Sequence, residues 1–190
     1  MKLEHLEGAH IALVAMGESQ LDFHLAKSHS KTWDEVWGIN AMGGITKCDR
    51  IFMLDPASRF LDSDAAGSQT GIMKDVVLNH PGPIYTCELD ERCPGLIEFP
   101  LAEVVKETRC SYLNNTVPFA IAFALYNKVA KLDLYGIDFT YKGNLHFAEA
   151  GRSCVEYWLA NEYSAEVEKR RRKEAELIPT VNTPPEAKRY

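Results

Sequence analysis

Short uninterrupted apolar runs alternate along this chain with longer stretches in which apolar residues recur at helical spacing. Ile11 to Met16 is such a run, stopped by Gly17-Glu18-Ser19, and this predicts a strand covered on both faces. Leu21 to Ser28 then reads as a short helix with Ser19 as its N-cap, and Glu35 to Ile39 as a second strand ending at Asn40. Arg50 to Leu54 predicts a third strand, closed by Asp55-Pro56 because proline lacks the donor that a ladder needs. Gly67 to Asn79 predicts a helix, and Pro81-Gly82-Pro83 resets the chain before a strand over Ile84 to Cys87. A short strand over Ile97 to Pro100 and a short helix over Leu101 to Glu107 follow. The strongly apolar Val117 to Asn127 predicts a buried helix, with Pro118 in its first turn and Asn115 or Thr116 as its cap. Lys131 to Gly136 is the last strand and leads to Asp138. Tyr141 to Ala150 reads as a polar loop, and a long helix runs from about Ser153 to Glu176.

Strands alternating with helices at this spacing predict an α/β fold: one Rossmann-like three-layer domain over residues 1–178, with a mainly parallel sheet and right-handed crossovers. A loose tail over 179–190 follows, marked by three prolines.

Charge and cysteine content narrow the function classes. A net charge of −6 opposes a surface that tracks nucleic-acid phosphates. The basic run Lys169 to Lys173 is interleaved with glutamates and reads as a solvated helix face. No apolar run reaches the length of a membrane span, and the first ten residues do not have the pattern of an export signal. Five cysteines without paired spacing fit reduced thiols better than a zinc site or a disulfide framework, so the expected location is cytoplasm. There is no G-x-S-x-G elbow to support hydrolysis through an acyl intermediate.

Ligands of open α/β sheets bind beyond the carboxyl ends of the strands, where strand order reverses. Small or polar residues stand at four predicted strand ends: Gly17 and Ser19, Asn40, Asp55, and Asp138. Gly17 and Ser19 suit a phosphate held by backbone N–H groups, or a plain strand-to-helix turn. The Asn40 amide suits a base or sugar, or a turn. Asp55 and Asp138 suit a metal ion or a ribose hydroxyl, or ties between loops. His146, in the polar loop near Tyr141, Glu149 and Arg152, is the expected proton carrier, with Glu149 as the substitute.

Taken in order, these segments resemble a Rossmann-like family that includes bacterial family 42 sialyltransferases and 6-hydroxymethylpterin pyrophosphokinase-like proteins. The resemblance rests on Ala15-Met16-Gly17-Glu18-Ser19, Trp37-Gly38-Ile39-Asn40, Asp55-Pro56, Asn114-Asn115-Thr116, the apolar Ala120 to Leu125, and Leu134 to Phe139. Gly143 to Trp158 is also similar to the end of small phage-encoded proteins of this type, which implies a host cytoplasm as the setting. The resemblance implies that Gly17, Ser19, Asn40, Asn114, Asn115, Thr116 and Asp138 surround a nucleotide-type small molecule. Tyr141 lies in an expected lid over it. The implied activity is nucleotide-dependent transfer, from a sugar nucleotide foremost. The alternatives are ATP-dependent pyrophosphoryl transfer, with Mg²⁺ held by Glu18, Asp55 and Asp138, or binding without catalysis. Association into a homo-oligomer stays open.

Overall fold

A computed structural model describes residues 2–64, 66–140 and 143–160. Tyr141, the expected continuation of the last helix to Glu176, the Lys169 to Lys173 run and the tail 179–190 lie outside the described residues. The apolar runs form β1 (His10–Val14), β2 (Glu35–Ile39), β3 (Arg50–Phe52), β4 (Ile84–Thr86), β5 (Leu96–Glu98) and β6 (Lys131–Tyr135). They make one six-stranded sheet, parallel throughout, in the order β5-β4-β3-β2-β1-β6. β1 is an interior strand between β2 and β6, and its last four residues are buried, as its unbroken apolar run requires.

The chain steps from β1 to β5 in one direction, then returns across the sheet to place β6 on the other side of β1. Right-handed crossovers that reverse direction must change face, so the sheet is covered on both sides. On one face, α1 (Gln20–Ser28), a 3-10 turn over Asn40–Gly44, α2 (Ser58–Leu61) and α3 (Thr70–Asn79) cover Val14, Ile51, Met53 and Ile84. On the other face, α4 (Leu101–Thr108), α5 (Thr116–Tyr126) and a final helix α6 over residues 145–160 cover Leu13, Trp37, Phe52 and Tyr85.

α5 is apolar almost all round because it lies between the sheet and its neighbouring helices, with Phe123 among the rings of Trp37, Phe52, Tyr85 and Phe99. Among the described residues, no helix is long and apolar enough to cross a membrane. The five cysteines are free thiols.

Most predicted elements form within a residue or two of their expected ends. The short helix α2 is not among the predicted elements, and the polar loop to Ala150 is helical from residue 145. Its cap is Asn144, whose Oδ1 accepts from the Phe147 N–H at 3.3 Å. α6 turns a buried side toward the core through Cys154, Val155 and Trp158.

Candidate functional site

Strand order reverses beside β1, and β6 pairs with it, so the crevice expected there would open between the loops after these two strands. Those loops are instead joined. The Gly17 N–H donates to Gly136 O at 2.8 Å, and the Ser19 N–H donates to Asp138 Oδ2 at 2.8 Å. The Ser19 hydroxyl donates to Asp138 Oδ1 and accepts from the Gly136 N–H.

The N–H donors of Gly17 and Ser19, expected to hold a phosphate, are therefore occupied by the loop after β6. Ser19 stands at the N-cap position of α1, yet its hydroxyl does not cap that helix. Gly17 is needed for the close approach, since a Cβ there would meet Asp138 Oδ2 and lie 2.6 Å from Gly136 O. A smaller groove of about 340 Å³ beside Ser19 and Asp138 carries Arg152 and Glu156, and these pair with each other at 2.7 Å.

A larger cleft, about 680 Å³, opens beyond the carboxyl ends of β2 to β5. It collects Asn40, Asp55, Asn114, Asn115 and Thr116, so five of the residues expected at a ligand meet in one place, displaced from Gly17, Ser19 and Asp138. Each is delivered by a strand end or by the start of α5. Asn40 follows β2 and opens the 3-10 turn; its φ is 50° and its Oδ1 is buried without a hydrogen-bond partner.

Asp55 follows β3 and pairs with Arg59 of α2, Nη1 to Oδ1 at 2.6 Å, one helical turn on. Its backbone carbonyl accepts from the Thr86 hydroxyl at 3.2 Å. Asn115 caps α5 as expected, accepting from the Val117 N–H at 3.1 Å, and donates from Nδ2 to Asn114 Oδ1 at 2.8 Å. Pro118 has no N–H and the Val117 N–H is taken by the Asn115 side chain, which leaves the N–H groups of Asn115 and Thr116 outside the helix's own ladder, where the backbone dipoles place partial positive charge.

Other lining residues had no clear sequence signal. Phe99, Phe119 and Phe147 give the cleft an aromatic side, while Arg59, Gln69 and Glu98 add polar groups. Arg59 had one available cue, its position four residues after Asp55. Among the described lining residues, Arg59 is the single cation, against the carboxylates of Asp55 and Glu98. No side-chain hydrogen bond or ion pair joins Glu98, at the end of β5, to another described residue.

His146 and Glu149 are exposed on the first turns of α6 and do not line the cleft, although Phe147 between them does. The expected Mg²⁺ group of Glu18, Asp55 and Asp138 is not assembled. Glu18 is exposed, Asp138 is bonded to Ser19, and Asp55 lies in the cleft against Arg59. Among the described residues, no three His, Cys, Asp or Glu side chains are grouped so as to hold a metal ion. Comparison with family models, with curated proteins and with solved structures finds no match.

Proposed function

We propose that this chain binds a nucleotide-type ligand in the cleft over β2 to β5, and that binding serves transfer of a group from a sugar nucleotide. The observation that carries the reading is Asn40. It combines a left-handed backbone, a buried unpaired carbonyl oxygen and a place on the cleft of about 680 Å³. Strained or unsatisfied residues of this kind collect where a ligand is held, because packing alone gives no reason to keep them.

The rest of the lining supports the same class of ligand. A base has the aromatic side of Phe99, Phe119 and Phe147 to lie against, and sugar hydroxyls have the carboxylates. A phosphate has the α5 terminus and Arg59. Glu98, unpaired in the cleft, is better placed than His146 or Glu149 to take a proton from an acceptor hydroxyl. Pyrophosphoryl transfer from ATP is less well served, since a triphosphate calls for clustered metal ligands or several cations. The described cleft offers one arginine, already paired.

The test is calorimetric titration of CMP-, UDP- and GDP-linked sugars and of ATP with Mg²⁺, with turnover followed by release of the nucleotide. A sugar nucleotide is expected to bind, and Asn40→Ala to weaken it by about 1 to 3 kcal/mol, the size of one buried hydrogen bond to a polar partner. Equal affinity in folded Asn40→Ala, or no binding by any of these compounds, overturns the reading. Binding without turnover keeps the site and removes the transferase.

A further inference from the structure

The wall of the cleft formed by residues 113–116 is held from outside by α6. The Tyr112 carbonyl, just before that wall, accepts two bonds from α6: Trp158 Nε1–H at 2.6 Å and the Cys154 thiol at 3.1 Å. Asn114 Nδ2 donates to the Ala150 carbonyl at 2.8 Å. From Asn114 the bonding continues inward, through Asn115 Nδ2 to Asn114 Oδ1 and through the Val117 N–H to Asn115 Oδ1. An unbroken run of hydrogen bonds thus leads from the α6 backbone to the first turn of α5.

Two further features belong to the same contact. Trp158 and Cys154 are almost wholly buried, at 1% and 0% exposure, and neither lines the cleft. Gly151 is a poor helix former within α6. Its place is explained by closeness, since a Cβ there would lie 2.7 Å from the Phe139 ring and 3.2 Å from Asn115 Nδ2. The first turn of the same helix carries the half-exposed Phe147 to the cleft.

We propose that α6 is a strap that sets the geometry of the ligand cleft, with Trp158, Cys154 and Gly151 as positioning residues. Docking of α6 and occupancy of the cleft are then one coupled equilibrium. Loosening the helix lowers affinity, and a bound ligand holds the helix more firmly, by the same factor in each direction. The effect on affinity rests on the cleft being the ligand site; the effect on the α5 terminus does not.

The experiment compares wild type with Trp158→Phe, which keeps a buried ring and removes the N–H. Gly151→Ala serves as a second variant should the first fail to fold. Amide hydrogen exchange is read at Val117 and, as a control for global stability, at Leu13 in the interior strand β1. Exchange at Val117 is expected to quicken about tenfold with Leu13 unchanged, as local opening allows.

Gly151→Ala separates the proposal from helix propensity, which alone would firm α6 and slow exchange there. CMP, UMP, AMP and GMP are titrated singly. The mononucleotide that binds wild type is expected to bind each variant several-fold more weakly, and to slow exchange in wild-type α6. Unchanged exchange at Val117 overturns the strap, and so does unchanged affinity beside altered exchange. If none of the four binds wild type, it is the cleft reading that fails, while the exchange data still decide whether α6 holds the α5 terminus.

Discussion

Positive φ at a non-glycine residue is uncommon, and three of the five instances among the described residues have an ordinary cause. Arg109 is the C-cap of α4, Ser30 follows the end of α1, and Lys128 follows the end of α5, where a left-handed residue is a usual way to stop a helix. Phe139 lies in the loop after β6, and Asn40 directly follows β2 with its Oδ1 buried and unpaired. If the backbone alone decided this position, glycine would serve better, because it takes positive φ without cost and leaves no polar atom orphaned. Asn40→Gly is therefore expected to raise stability by about 1 kcal/mol, the relief of an unpaired carbonyl being partly offset by the greater freedom of glycine when unfolded. The same change is expected to remove sugar-nucleotide binding. Urea unfolding and calorimetry on one sample check both, and a loss of stability would mean that the amide supports the fold itself.

The loop between β1 and α1 illustrates how one short motif carries two meanings. Gly17 and Ser19 resemble a phosphate loop in the sequence, but the groups that occupy their N–H donors come from the loop after β6, more than a hundred residues later. Nothing within Ala15 to Ser19 distinguishes the two. Gly17→Ala is expected to cost about 2 to 3 kcal/mol, because the added methyl meets Asp138 Oδ2 and the Gly136 carbonyl with little room to yield. Sugar-nucleotide affinity should be nearly unchanged, since the cleft lies over β2 to β5. A large loss of affinity with stability intact would return the phosphate to this loop.

Local patterns with local causes were legible in the sequence: the unbroken run of β1, the Asn115 cap with Pro118 behind it, Asn40 at the end of β2. Contributions set by distant pairing were not. Arg59 lies on a helix of four residues and Glu98 on a strand of three, both too short to show a period. The start of α6 was obscured because Ala148 is its one buried residue before Gly151.

Across the whole molecule, the amino-terminal side of the sheet is tied by two carboxylates rather than by apolar contact alone. Glu35 is pushed up by burial, but the Arg50 guanidinium, with Trp37 and His5, outweighs this and holds it below the usual carboxylate range. Asp133 on β6 is likewise desolvated, and the Lys31 ammonium, the Trp33 N–H and His10 hold it well below its ordinary value. These partners join β1, the segment before β2 and the edge strand β6.

A carboxylate whose pKa is lowered by folding binds its proton more readily in the unfolded chain, so its contribution is complete above the ordinary range near pH 4 and is lost as pH falls toward the depressed value. Net charge acts in the other direction at first. The chain carries −6 at neutral pH and approaches zero near pH 5.5, so mild acidification relieves self-repulsion. Stability is expected to stay level or rise slightly down to about pH 5 and to fall below about pH 4.5. Asp133→Asn should cost about 1 to 3 kcal/mol at pH 7, where charge-assisted bonds to Lys31 and Trp33 are removed, and progressively less at lower pH. Urea midpoints of both proteins between pH 7 and pH 2.5 measure this directly. Two parallel curves across that range would show that Asp133 contributes no proton linkage, and the acid limb would then come from the other carboxylates held low by folding, among them Glu35 beside Arg50 and the Asp62 and Asp90 pair on Arg92.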